Sequence, residues 1–154
     1  MTTAQQAGSM NTTLNAIRAQ SPCSDGWEKL LRTLGKTKAD DEPVSIVQIL
    51  DSNGLDDALW CLRAVVGCDR EIRLYAVWCA RQVEHLMTDQ RSKDALNVAE
   101  RFADGKATDV ELAAARAAAW AAAGDAAGDA ARAAQEKELR RVCERMEKRA
   151  EVTA

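Results

Sequence analysis

His85 is the only histidine in the 154-residue chain, and Cys79 stands six positions before it. A thiol and an imidazole are two parts of a nucleophilic site, which also needs a group to orient the base. Cys79 lies in an apolar stretch, LYAVWCA, where burial raises a thiol pKa and leaves it inert. The pair therefore reads as a core thiol and a helix-end histidine. Metal binding needs His, Cys or carboxylates at ligand spacing. Cys61 and Cys68 are seven apart, but Gly67 interrupts the helix that would align them. No metal and no cofactor is expected.

Carboxylate pairs are the remaining candidates: Asp40, Asp41 and Glu42; Asp56 and Asp57; Asp125 and Asp129. Acid–base chemistry wants two carboxyls in unlike surroundings. The first two groups instead precede apolar helical runs, where negative charge complements the helix dipole. The sequence contains no phosphate-binding glycine loop, no GxSxG and no HExxH. Lys29, Arg32, Lys36 and Lys38 form a small basic group with only Trp27 beside it, a weak nucleic-acid signal.

Composition excludes several classes without identifying an activity. The net charge is −3, against a strongly basic nucleic-acid surface. No apolar run is long enough to span a membrane. Residues 1–10 lack the basic flank and apolar core of an export signal. The five cysteines contain no CxxC, and read as reduced thiols of a cytoplasmic protein.

Helical periodicity governs the positioning elements. A short helix is expected over 11–19, stopped before Pro22. Trp27, Leu30, Leu31 and Leu34 mark the next, with Asp25 or Ser24 as cap, Glu28 three on from Asp25, and Gly35 as stop. Pro43 suits the first turn of a third helix, with Asp40, Asp41 and Glu42 at its positive end. Helices over 55–66 and 70–87 are apolar on most sides and are the expected core pair. Another follows over 90–103.

After Gly105 the composition changes. The chain holds 30 alanines, and 15 fall between positions 113 and 134. Thr108 and Glu111 form a capping box, and no proline follows. One helix over 109–151 would be about 64 Å long at 1.5 Å per residue. At 100° per residue, Trp120, Gly124, Gly128, Leu139, Val142 and Met146 share one stripe. Such a stripe, with small residues for close approach, suits another helix, within the chain or from a second copy; the long helix is expected to pack on the bundle and also to pair with a second copy. Glu136–Arg140 and Glu144–Lys148 are i,i+4 pairs worth a few tenths of a kcal/mol each. The expected architecture is all-α: a disordered tail over 1–10, a helical bundle over 11–104, and a long Ala-rich helix or helical hairpin over 105–154.

Five segments carry a resemblance: ALWCLR (58–63), LYAVWCARQVEHL (74–86), ALNVAERFADG (95–105), TDVELAAARAAA (108–119) and GWEKLLRTLGKTKADDEP (26–43). They are similar to a family of small phage, prophage and bacterial proteins labelled immunity proteins. Members carry a longer Ala-Trp-Ala-Arg tract; here a single Trp120 is followed by a charged helix. The resemblance implies a phage-borne, non-catalytic inhibitor of host defence working in the bacterial cytoplasm. The first expectation is an anti-CRISPR protein that binds Cas proteins of a type I surveillance complex, blocking DNA binding or nuclease recruitment. The alternative is an immunity protein that neutralises a cognate toxin by direct binding. Asp40, Asp41, Glu42, Asp56 and Asp57 are the expected partner-binding residues, facing a basic channel. Trp120, Gly124, Gly128, Leu139, Val142 and Met146 are the expected homodimer interface.

Overall fold

Ser45 sets the geometry of the N-terminal half. Its hydroxyl accepts from the Gln48 amide N–H at 3.1 Å, and its own N–H donates to Gln48 Oε1 at 2.9 Å. This reciprocal capping box satisfies two N-terminal donors and fixes the helix start at Ile46. Pro43 is therefore not in a first helical turn, as the sequence suggested. It belongs to a three-residue strand, Pro43–Ser45 (β2), paired antiparallel with Asn11–Thr13 (β1) in the register Thr12↔Val44. The helix expected from residue 11 correspondingly begins at Leu14, where Thr13 Oγ1 caps it by accepting from the Ala16 N–H.

The computed structural model describes residues 9–120 and 129–153. Among them are eight α-helices and this one small sheet, so the chain is mostly helical. The described residues form two compact units. One comprises residues 9–68 with 140–153; the other lies within 69–139. The boundary after Cys68 splits the bundle expected over 11–104. Gly67 (φ +80°) turns the chain there, in a left-handed conformation that glycine adopts without strain. The two helices expected as a core pair therefore belong to different units.

The first unit holds α1 (Leu14–Ala19), α2 (Ser24–Thr33), α3 (Ile46–Asn53) and α4 (Leu55–Cys61), with a 3₁₀ turn at Leu62–Ala64. Leu14, Ile46 and Ile49 are fully buried, and Ile17, Leu30, Val44 and Leu50 nearly so. Each such side chain contributes about 1.5–3 kcal/mol by leaving water. Thr12 is buried too, and its hydroxyl donates to the Ala64 carbonyl at 2.7 Å, closing the sheet onto the end of α4. Val142, Cys143 and Met146 complete this core from the C-terminal helix, where Arg140 Nη2 lies 2.7 Å from Asp51 Oδ1.

The second unit holds α5 (Asp69–Arg81), α6 (Gln90–Ala103), α7 (Asp109–Trp120) and the start of α8 (Asp129–Thr153). α5 packs on α6, and α6 on α7. Its buried apolar set is small: Tyr75, Val77, Leu112 and Leu139. The expected all-round burial of α5 is not seen; Ile72, Leu74 and Trp78 are half-buried. Polar links join the helices instead. Arg81 reaches Glu100 at 2.7 Å and Glu84 at 3.1 Å, Arg70 reaches Asp104 at 2.7 Å, and the Tyr75 hydroxyl donates to the Gln135 carbonyl at 2.9 Å. The Thr108–Glu111 capping box forms as the sequence implies.

Candidate binding cleft

A cleft of about 230 Å³ opens in the first unit between α1, α2, α3 and α4. Its walls are apolar: Ile17, Pro22, Trp27, Leu30, Ile49 and Trp60. The charged groups lining it are Asp56 and Asp57. Both indoles are half-buried, unlike the fully buried aliphatic floor. The volume is below the roughly 300–1,000 Å³ of a typical small-molecule pocket. It is the scale of one large side chain.

Local chemistry explains why the cleft exists. α1 ends at Ala19, Ser21 turns the chain at φ +59°, and Pro22 leads toward α2, so that Ile17 and Trp27 both line the cleft. Gly26 lets α2 approach α4: a Cβ at this position would stand 2.8 Å from Asp57 Oδ2 and 3.1 Å from Cys23 Sγ. Asn53, the last residue of α3, holds the junction. Its amide donates to the Gly26 carbonyl and to Asp57 Oδ2, both at 2.8 Å. Asp57 is thus fixed in position, whereas Asp56 beside it is exposed. Trp60 is fixed as well, with the Arg63 guanidinium 4.4 Å from its ring centroid and Arg63 Nε donating to the Trp60 carbonyl at 2.9 Å.

The expected partner-binding residues separate into two places. Asp56 and Asp57 lie in the first turn of α4, as the sequence implied, and line the cleft. Asp40, Asp41 and Glu42 do not line it. Lys36 Nζ bridges Asp40 Oδ2 and Glu42 Oε2, each at 2.5 Å, and Asn15 donates to Asp41 Oδ1 at 2.9 Å. The Lys36 ammonium holds the Asp40 carboxyl below its ordinary range. These three acids stabilise a loop rather than the helix end expected for them, because the Ser45 box starts α3 later. The Trp120 side chain and residues Gly124 and Gly128 lie outside the described residues. Leu139, Val142 and Met146 are buried within the single chain. That end of the expected dimer stripe already has apolar cover, since the C-terminal helix folds its seam into the chain's own core.

The chain matches no family model, no curated protein and no solved structure.

The thiols are set by burial. Cys61, at the cleft floor, is pushed up to about 11 by desolvation, with Asp57 adding to the effect. Desolvation pushes buried Cys143 up to about 12. Cys79 is half-buried and raised chiefly by desolvation, while His85 is exposed on the 3₁₀ turn Glu84–Leu86. Cys23 is exposed at the cleft's edge. Among the described residues no group of three His, Cys, Asp or Glu is arranged to hold a metal, and no helix is long and apolar enough to cross a membrane.

Sequence reasoning named Asp56 and Asp57 but missed the cleft. The signal available was the spacing of Asp56 and Trp60, four apart and hence on one helix face. Trp27 offered nothing comparable, because its periodic neighbours Leu30, Leu31 and Leu34 also fit an ordinary buried face.

Proposed function

We propose that this chain is a non-catalytic, stoichiometric inhibitor that acts by binding a protein of a bacterial defence system, with the Cas proteins of a type I surveillance complex as the target. The observation that carries the reading is the cleft: apolar walls, two half-buried indoles and two acidic side chains on a helical unit. Interface hot spots are rich in such aromatic-lined pockets. Phage-borne inhibitors need only a rigid complementary surface, and the sequence resemblance points to that group. The binding surface is assigned to Asp56 and Asp57, which line the cleft, rather than to Asp40, Asp41 and Glu42, which do not.

A tagged pull-down from a host expressing a type I complex tests this. Stoichiometric recovery of Cas proteins is expected. Recovery of none of them, despite an expressed complex, overturns the reading in favour of toxin immunity, for which a neighbouring toxin gene would be sought. Self-association through Trp120, Gly124 and Gly128 belongs to the same proposal. Gly124→Leu with Gly128→Leu should convert a dimer to a monomer in sedimentation, and an unchanged mass would overturn it.

A further inference from the structure

The cleft has an unusual pairing of surfaces. Its walls are apolar and aromatic, yet every charged side chain lining it is a carboxylate. A purely aliphatic occupant would leave the half-buried Asp57 against an uncharged group, at a cost in desolvation. A compact ammonium would satisfy the acids but make poor use of the Trp27 indole, the Trp60 ring already carrying the Arg63 guanidinium at 4.4 Å. A guanidinium on a three-carbon stem matches both. The stem lies against apolar walls, the planar head stacks on indole, and its fork of N–H donors meets carboxylate oxygens. The protein contains an internal instance of half this chemistry, Arg63 over Trp60 at 4.4 Å. Asp57 is held ready by Asn53, so one acceptor needs no reorganisation on binding.

We propose that the cleft bounded by Trp27, Trp60, Asp56 and Asp57 captures a single arginine side chain of the partner protein. This deepens the preceding proposal and rests on its premise that the chain works by binding a protein. It also names what the partner must present: an exposed arginine flanked by small or apolar residues. Basic channels that hold nucleic acid are rich in such residues, because arginine suits phosphate contacts.

The test uses the intact chain and short capped peptides with one central arginine between alanines. Matched peptides replace that arginine by citrulline, lysine or norleucine. Binding is read from the indole Nε1–H resonances. The arginine peptide should shift Trp27 and Trp60 and leave Trp78 in place. The citrulline and norleucine peptides should bind about tenfold more weakly or worse, as expected for loss of a charge-assisted hydrogen bond. Equal or tighter binding of norleucine or lysine overturns the proposal, as does no shift with any peptide. The citrulline comparison leaves the protein unaltered, so it holds even if a variant fails to fold. Asp56→Asn with Asp57→Asn should abolish the preference for arginine over citrulline.

The same double variant separates this inference from the functional reading. If the unaltered chain recovers Cas proteins and the variant recovers them equally well, the arginine cleft is overturned and the inhibitor reading stands. If the arginine peptide seats in the cleft but no Cas protein is recovered, the cleft stands and the inhibitor reading falls.

Discussion

Asn53 Nδ2 donates to Asp57 Oδ2 at 2.8 Å, and this bond sets the shape of the cleft. The same amide holds the Gly26 carbonyl, so one side chain ties the end of α3 to both α2 and α4. Asn53→Ala removes both contacts. Removal of a donor from partly buried acceptors costs about 1–3 kcal/mol. A melting temperature lower by several degrees is expected in calorimetry. An unchanged melt would show that the junction is held by packing alone.

Gly26→Ala sets two effects of similar size against each other. Alanine is the better helix former, by up to about 1 kcal/mol in a helix interior and by less at Gly26, which lies in the first turn of α2. Its methyl group, however, would stand 2.8 Å from Asp57 Oδ2, an oxygen already pinned by Asn53. Asp57 must then swing away and lose that bond. The two changes should nearly cancel, leaving stability within about 1 kcal/mol of the parent. Arginine-peptide binding should nevertheless weaken severalfold. Unchanged peptide affinity would mean that Asp57 need not be fixed.

Thiol reactivity should follow burial. Cys23 is exposed and should be alkylated by iodoacetamide within minutes at pH 8. Cys61 and Cys143 are buried and raised to about 11 and about 12, so the thiolate is scarce as well as inaccessible. They should be modified only as the chain unfolds. Peptide mass spectrometry distinguishes the sites, and rapid labelling of Cys143 in the native chain would contradict its place in the core.

Acid sensitivity should come partly from the cap of α6. The Arg91 side chain, then its backbone N–H, draws the Asp89 carboxyl from 3.8 down to about 2. A depressed carboxylate contributes stability above its unfolded pKa and loses it as the pH falls through the folded one. The loss therefore runs from about pH 4 to pH 2. Asp40 and Glu111 are shifted in the same direction, by Lys36 and by the Thr108 backbone N–H. Asp89→Asn keeps a capping oxygen but cannot titrate. Its melting temperature should fall less steeply between pH 4 and 2 than the parent's, and equal slopes would sink the assignment.

The mostly helical character was legible because the apolar spacing of Trp27, Leu30, Leu31 and Leu34 is helical, and because Gly35 punctuates it. Thr108 and Glu111 announced their capping box by residue type alone. The small sheet was not legible. Asn11–Thr13 and Pro43–Ser45 are three residues each and far apart in sequence, and nothing local marks their pairing. Pro43 misled because proline fits a helix's first turn as well as the end of an edge strand. At the candidate site, Asp56 and Asp57 stood out as charges, whereas Trp27 and Trp60 looked like core. Both indoles line the cleft and are half-buried, which periodicity alone does not reveal.

The course of α8 bears on how the chain is made. Its residues up to Leu139 belong to the second unit, and those from Arg140 onward finish the first. On the ribosome, residues 9–68 therefore emerge without Val142, Cys143 and Met146, the side chains that close their core. At about 5–20 residues per second the wait lasts several seconds. Through that interval the nascent first unit keeps apolar surface exposed, and its final packing is a late event of synthesis rather than an early one.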